Sequence, residues 1–271
     1  MIETNFFEPA SRSLAGKVAV VTGSGSRADG IGNGRASAIL LARDGARVLL
    51  IDAVEDWAHT TREMIEREGN EALVVRCDVT KNDDCRDAIS HAIDQWGRVD
   101  ILVNNVGIGG PKGNAVDVDL QEWEHAMRVN VTSMMLMAKY SIPDMRKRGQ
   151  GAIVNIASVA GLMGGNPNLL YPTSKGAVVN MTRAMAAHHG EEGIRINCVA
   201  PGMVFTPMVS SKGMSEDIRE IRRKRSLLGV EGSGWDVGHA VRFLASDEAR
   251  WMTGVILPVD AGATAGRHSY R

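Results

Sequence analysis

Cysteine is scarce in this chain of 271 residues: Cys77, Cys85 and Cys198 are its three. Their odd number and wide spacing exclude a disulfide framework and the paired short spacing of a zinc site. They are expected as buried, small apolar residues of a protein that works in the reducing cytoplasm. Charge of one sign is lacking as well. With 31 basic and 32 acidic residues the formal net charge is −1, too little to gather a nucleic-acid backbone or an anionic membrane surface. Long hydrophobic runs are missing, since stretches such as 131–138 fall far short of the ~20 apolar residues a bilayer crossing needs. The first 13 residues place Glu3, Glu8 and Pro9 where a secretory signal needs a basic start and an apolar run, so no export is expected. Internal repeats, low-complexity tracts and interdomain linkers are not found. One domain spanning 1–271 is expected.

What is present is ordinary globular material, 44% hydrophobic and 23% charged, enough for a sizeable core. Seven short runs rich in Val, Ile and Leu, near 17–22, 46–51, 72–77, 99–104, 152–157, 194–199 and 254–259, read as strands. They lack polar alternation, so both of their faces are covered. Between them lie segments with helical spacing of apolar residues, often closed by glycine, as at Gly45 after 36–44 and Gly69 after 56–68. Alternating strand and helix predict an α/β fold, a Rossmann-type doubly wound parallel sheet with helices on both faces and ligands at the strands' carboxyl ends.

The first strand runs into a glycine-rich loop, residues 23–32, before a helix that begins near Ile31. Glycines there let the backbone approach a pyrophosphate, and a helix N-terminus supplies free amides and about half a positive charge. Read as turn chemistry alone, the same loop needs no ligand. About 20 residues further on, the second strand ends in Asp52, whose carboxylate can accept both hydroxyls of an adenosine ribose and would repel a 2′-phosphate. Ala53 follows it and Asp29 precedes Gly30, so neither usual place for a phosphate-pairing base holds one. NAD is favoured over NADP. Arg27 keeps two readings open, a solvated loop arginine or a cation brought round to a 2′-phosphate.

Tyr171 and Lys175 stand four apart in a helical stretch and share a face. A phenol near pKa 10 is a poor base at neutral pH. An ammonium at ~4 Å in an effective dielectric of ~20 contributes roughly 4 kcal/mol toward its anion, which would bring it into range for proton exchange with an alcohol or carbonyl oxygen. Ser158 ends the fifth strand on the ligand-binding edge, where its hydroxyl could polarise the same oxygen or simply cap a turn. Asn130, inside the helical stretch 119–142, is a mediocre helix former.

Gly23, Gly30 and Gly32, Asp78, Asn104-Asn105-Val106-Gly107, Asn130, Ser158, Tyr171-x-x-x-Lys175, Pro201-Gly202 and Thr206 together resemble the classical short-chain dehydrogenase/reductase family. The likeness covers roughly residues 16–263. It implies a secondary alcohol and a ketone interconverted by hydride transfer to or from a nicotinamide. In that scheme Tyr171 is the acid/base, Lys175 lowers its pKa and holds the nicotinamide ribose, and Ser158 orients the substrate oxygen. Asn130 distorts its helix and holds a water that relays protons. The implied cofactor contacts are Gly23, Ser26, Arg27, Gly30, Ile31 and Gly32 in the loop, Asp52 at the adenosine ribose, and Asp78 and Val79 at the adenine. Asn105, Val106 and Gly107 line the cofactor's ribose and pyrophosphate side, Tyr171 and Lys175 its nicotinamide ribose, and Pro201, Gly202, Val204 and Thr206 its carboxamide end. A homo-oligomer, commonly a tetramer, goes with the family. Two departures stand out. Six residues, 24–29, separate the first two cradle glycines where the family has three, and Val106 replaces the usual alanine.

Residues 203–235 form a long segment without a strand that interrupts the pattern before the last helix, a candidate substrate lid. Its Met203, Phe205, Met208, Met214, Leu227 and Leu228 suit either an apolar substrate or packing of the lid on the body. Its Arg219, Arg222, Arg223, Lys224 and Arg225 read as a solvated helix face, with a phosphate or acyl-carrier partner as the alternative. No histidine spacing calls for a metal, so none is expected. A cofactor-binding sensor or scaffold without turnover is the rival function. It would have no need of the complete set Asn130, Ser158, Tyr171 and Lys175. Sugar-nucleotide epimerase chemistry is disfavoured because only about 70 residues follow the sixth strand, where such relatives carry a larger substrate domain.

Overall fold

Residues 18–22, 101–104 and 151–156 are buried along their whole lengths, a pattern that requires cover on both faces. The computed structural model describes residues 9–211 and 213–266 and supplies that cover. Residues 1–8, 212 and 267–271 lie outside the described residues, and with them most of the stretch read for export, the ends of the 1–271 domain, and Lys212 of the 203–235 segment. Seven strands, β1 (Val18–Thr22), β2 (Arg47–Asp52), β3 (Ala72–Arg76), β4 (Ile101–Asn104), β5 (Gly151–Ile156), β6 (Ile194–Pro201) and β7 (Ile256–Val259), form one sheet in the order β3-β2-β1-β4-β5-β6-β7. Every pairing is parallel. The Rossmann-type expectation holds in one domain, with each strand displaced from its predicted bounds by a residue or two.

Successive side chains of a strand point to opposite faces, and the core divides accordingly. Ala19, Val21, Val48, Leu50, Ile101 and Val103 meet helices α1 (Asn33–Arg43), α2 (Glu55–Arg67) and α9 (Gly234–Ala245). Val18, Val20, Leu49, Ile51, Leu102 and Ile153 meet α3 (Asn82–Trp96) and α5 (Ser133–Arg148). The two edge strands β3 and β7 are less buried, and Pro258 in β7 sits where a missing amide is tolerated. Cys77, Cys85 and Cys198 are free and buried, as expected.

The reversal of strand order between β1 and β4 opens a crevice at the carboxyl ends of the strands. The predicted helical stretch 119–142 is not a regular helix: α4 (Leu120–Met127) passes into a π-helical turn, Arg128–Thr132, before α5. α5 runs through Pro143 to Arg148, because Met145 beyond the proline is fully buried and packing outweighs the lost amide. The remaining helices are α6 (Leu170–His189), α7 (Pro207–Ser210) and α8 (Glu216–Arg223). The candidate lid, 203–235, overlaps the start of α9, to which Trp235 belongs. Among the described residues no helix is long and apolar enough to cross a membrane.

Leu50, in β2 one strand in from the sheet edge, has no exposed surface. Leu50→Ala is expected to cost about 2–5 kcal/mol, read as a lowered urea midpoint with an unchanged denaturant slope.

Candidate active site

Every predicted site residue sits at or just beyond a strand's carboxyl end, or on an element packed there. β5 delivers Ser158, whose extended backbone lets its Oγ cap a short 3₁₀ turn by accepting the Ala160 amide at 3.2 Å. That turn can lie against α6 because residue 161 is glycine: a Cβ there would fall 2.5 Å from the Lys175 carbonyl carbon. The close approach brings the Ser158 hydroxyl near enough to the Tyr171 phenol to favour its anion. Gly161 was missed in the sequence, since the spacing of this turn from the helix is a purely tertiary matter.

Lys175 is 3% exposed, and its Nζ donates to the Ile156 carbonyl at 2.9 Å. Burial pulls its pKa down to about 8, with the Cys198 thiol working the other way. The ammonium lies 5.9 Å from the centroid of the Tyr171 ring. The expectation that this cation brings the phenol down needs correction: burial pushes Tyr171 above its ordinary value, and the nearby Ser158 hydroxyl opposes it only in part. The reason is that the cation is itself desolvated, spends a proton on Ile156 and faces the ring.

Asn130 occupies the π turn and is wholly buried. Its Oδ1 accepts the Ile108 amide at 2.7 Å, and its Nδ2 donates to the Ile108 carbonyl at 2.9 Å and to Ser174 Oγ at 3.0 Å. Ser174 in turn donates to the Tyr171 carbonyl at 2.9 Å, a link that short-range pattern reading does not reveal. Beneath these, Asn104 Nδ2 donates to Asn155 Oδ1 at 2.9 Å and Asn155 Nδ2 to Thr182 Oγ1 at 3.0 Å, joining β4, β5 and α6 through buried amides. Gly107 leaves just enough room for Lys175, since a Cβ would sit 3.0 Å from Nζ.

The glycine loop is held from behind at two points. Asp52 Oδ2 accepts the Gly25 amide at 3.0 Å and Oδ1 the Val54 amide at 3.1 Å. Arg35, also buried, donates to the Gly30 carbonyl at 2.6 Å and to Thr61 Oγ1 at 3.0 Å. Gly23 and Gly30 have φ of +61° and +117°, conformations reserved for glycine. The tightest approach belongs to Gly34, where a Cβ would meet the Gly23 carbonyl oxygen at 2.1 Å, whereas Gly32 faces open space. Ser26 Oγ donates to the Ala28 carbonyl at 2.7 Å, within the loop. Arg27 is exposed and lies 6.0 Å over the Trp57 ring. Asn105 turns its amide to the Thr22 and Gly23 carbonyls, at 3.1 and 2.9 Å, and so supports the loop.

At the far strands, Asp78 accepts from Thr80 N and Oγ1 at 3.0 and 2.7 Å, and Val79 is buried. Beyond β6, Gly202 donates to the Val259 carbonyl at 2.9 Å and Val204 bridges to Gly232. Thr206 stands at the N-terminal end of α7 without a side-chain capping bond and is buried. The basic cluster of the candidate lid is not a set of free solvated cations. Arg219, Arg222, Arg223 and Lys224 pair with Glu216, Glu220 and Glu231. Met208 and Leu228, 69% and 74% exposed, do not pack the lid on the body.

These residues fit a dinucleotide. α1 begins at Gly32 with no side-chain cap and no acidic residue in its first turn, so its positive end is open to an anion. Asn33 Oδ1, at that end, is buried without a partner. Each oxygen of Asp52 keeps a lone pair beyond its backbone bond. Burial raises the Asp52 pKa, with the Val54 and Gly25 amides opposing. Among the described residues no group of three or more His, Cys, Asp or Glu side chains could hold a metal.

A family profile described as Enoyl-(Acyl carrier protein) reductase matches residues 26–264. The chain is 37% identical over 253 residues to cis-4-hydroxycyclohexanecarboxylate dehydrogenase of Sinomonas cyclohexanicum, covering 93% of this chain and 98% of the relative. It is 39% identical to 2-(S)-hydroxypropyl-CoM dehydrogenase 3 of Xanthobacter autotrophicus, covering 94% and 99%. A solved structure of 7 alpha-hydroxysteroid dehydrogenase complexed with NADH and 7-oxo glycochenodeoxycholic acid matches with a TM-score of 0.85 at 34% identity, over 93% of this chain and 95% of that one.

The buried Lys175 predicts a pH signature. Its folded value, about 8, lies below its ordinary 10.5. The folded protein therefore binds fewer protons than the unfolded chain in that window, and stability rises as pH climbs from about 8 toward 10.5. Below the window the full cost of burying the cation is present. In urea titrations, Lys175→Met is expected to exceed the native protein in stability most below pH 8, with the gap closing above it. A gap independent of pH would contradict the assignment.

Proposed function

The chain belongs to the short-chain dehydrogenase/reductase family, and from that premise we propose that it oxidises a secondary alcohol to a ketone with NAD as hydride acceptor and Tyr171 as acid/base. The observation that carries the reading is the gathering of Ser158, Tyr171 and the buried Lys175 at the carboxyl edge of the sheet, with the ammonium 5.9 Å from the centre of the phenol ring. Bound across the crevice, the nicotinamide supplies the carbon that accepts the hydride.

The protein's own part is the proton. Ser158 donates to the substrate oxygen and fixes it against the phenol, and Tyr171 takes the hydroxyl proton as the carbinol hydrogen leaves. Because burial holds the phenol above its ordinary pKa, the resting group is a proton donor suited to ketone reduction. Oxidation gains as pH rises and the phenolate forms. Asn130 Oδ1, with a lone pair beyond the Ile108 amide, holds the water that passes a proton from Lys175 to solvent.

Asp52 supports NAD over NADP, since a second negative group at the ribose would face a buried carboxylate with no added cation on Ala53 or Asp29. The cellular excess of oxidised NAD then favours the oxidative direction. For the substrate we infer a ring alcohol. Leu162 and Met163, in the loop beyond β5, and Met208, in the short helix α7 beyond β6, keep apolar surface exposed. Two relatives bear the names of cyclic secondary alcohols, and the 2-hydroxypropyl relative supports the same functional group on an open chain. A cytoplasmic homotetramer accompanies this reading.

Screening cyclic secondary alcohols for the rise in reduced-nicotinamide absorbance tests the activity. Tyr171→Phe is expected to lower kcat about 10²–10⁴-fold while calorimetry shows NAD binding nearly unchanged. Retained turnover would remove the phenol from the mechanism. Asp52→Ala is expected to cut the preference for NAD over NADP about tenfold or more. An unchanged ratio of kcat/KM values would move the ribose contact from Asp52 to the glycine loop.

A further inference from the structure

We propose that Glu231 is a positioning residue: clasped between Arg219 and Arg222, it fastens helix α8 to segment 203–206 at the crevice and thereby sets how tightly the site grips its ligands. The kinetic arm of this inference rests on the dehydrogenase reading, and the binding and proteolysis arms do not.

α8 has no buried residue of its own and exposes Ile218 and Ile221, so apolar packing does not hold it down. A carboxylate does. The Glu231 side chain is 5% exposed; its Oε2 accepts from Arg219 Nε at 2.9 Å and its Oε1 from Arg222 Nε at 2.6 Å. Beyond Glu231, Arg222 Nη2 donates to the Val204 carbonyl at 2.9 Å, and the Arg219 guanidinium lies 4.1 Å from the Phe205 ring centroid. The same segment is fixed from the other side: Phe205 donates to the Gly232 carbonyl at 2.7 Å and Gly232 to the Met203 carbonyl at 3.2 Å. Glu231 thus links α8, the 203–206 segment and its own strand-like neighbour.

Burial works against the charge on Glu231, but Arg222 and Arg219 outweigh it and hold the carboxyl below its usual range, so the clasp is ionic at neutral pH. Neutralising Glu231 would leave Arg222 without its carboxylate partner and Arg219 with Glu216 alone. The other acid–base pairs of α8, Arg223 with Glu216 and Glu220, Arg219 with Glu216 and Lys224 with Glu220, are local to the helix and its end and do not tie it to the body. Arg223 therefore serves as the control.

The test compares native protein, Glu231→Gln, Glu231→Asp and Arg223→Gln. Tryptic cleavage after Arg219 and Arg222 is followed by mass spectrometry, NAD binding by calorimetry, and alcohol oxidation by steady-state kinetics. Glu231→Gln is expected to be cleaved about tenfold faster in α8 and to raise the NAD dissociation constant and the alcohol KM about tenfold, with kcat changed by about twofold or less. Glu231→Asp should fall between, and Arg223→Gln should match the native protein in binding and KM. Unchanged cleavage and binding in Glu231→Gln, or a fall in kcat at constant KM, would overturn the proposal. If Glu231→Gln does not fold, Arg222→Lys keeps the charge but loses the fork to Val204 and is judged by the same readings. If the native protein oxidises no secondary alcohol, the dehydrogenase reading falls, while cleavage and NAD binding still decide the clasp.

Discussion

A single buried ammonium organises the reactive end of the molecule. Lys175 is taken out of water by α6, by the end of β5 and by the glycine at 107, and its hydrogen bond to the Ile156 carbonyl replaces solvent only in part. A cation in such a place is costly unless its surroundings are shaped to it. Gly161 lets the turn after β5 settle onto α6, Gly107 clears space for Nζ, and the Asn104–Asn155–Thr182 chain of amides and hydroxyl locks strand to helix. The phenol, the serine and the π turn owe their mutual placement to this packing. The chemistry therefore begins from a strained electrostatic position, a cation easier to discharge than usual beside a phenol harder to ionise than usual.

The cofactor side is built on a different principle. Here the backbone does the work, with glycines in left-handed conformations and a helix end left uncapped, and side chains act from the rear as props. Arg35 is the clearest of these. It is deeply buried and spends its donors on Thr61 and on the loop carbonyl at Gly30. Asp52 faces both ways, holding Gly25 and Val54 while retaining lone pairs toward the crevice.

Much of this was readable from residue order. The central strands are apolar on both faces because both are covered, so their positions and the α/β class follow from composition within short windows. The Tyr171–Lys175 spacing and the carboxyl-terminal positions of Ser158 and Asp52 follow from the same pattern. What could not be read depends on contacts between distant residues: Ser174 with Asn130, Arg35 with Thr61, Gly34 with Gly23, and Glu231 with α8. The direction of the Tyr171 shift belongs here too, because burial is a property of the assembled fold and outweighs a neighbour that sequence spacing alone makes prominent. The lid arginines looked like a bare basic face for the same reason, since the acids that neutralise them include one that stands 9 residues from Arg222 along the chain.

The extra length of the glycine loop acquires a meaning from its two props. With Gly25 moored to Asp52 and Gly30 moored to Arg35, the four residues between them form a short bight whose ends cannot drift. Loop entropy grows slowly with length, so that bight can be spliced, shortened or exchanged for a foreign sequence while the anchorages on either side keep the cradle in register. The site thereby carries a graftable insert at its rim.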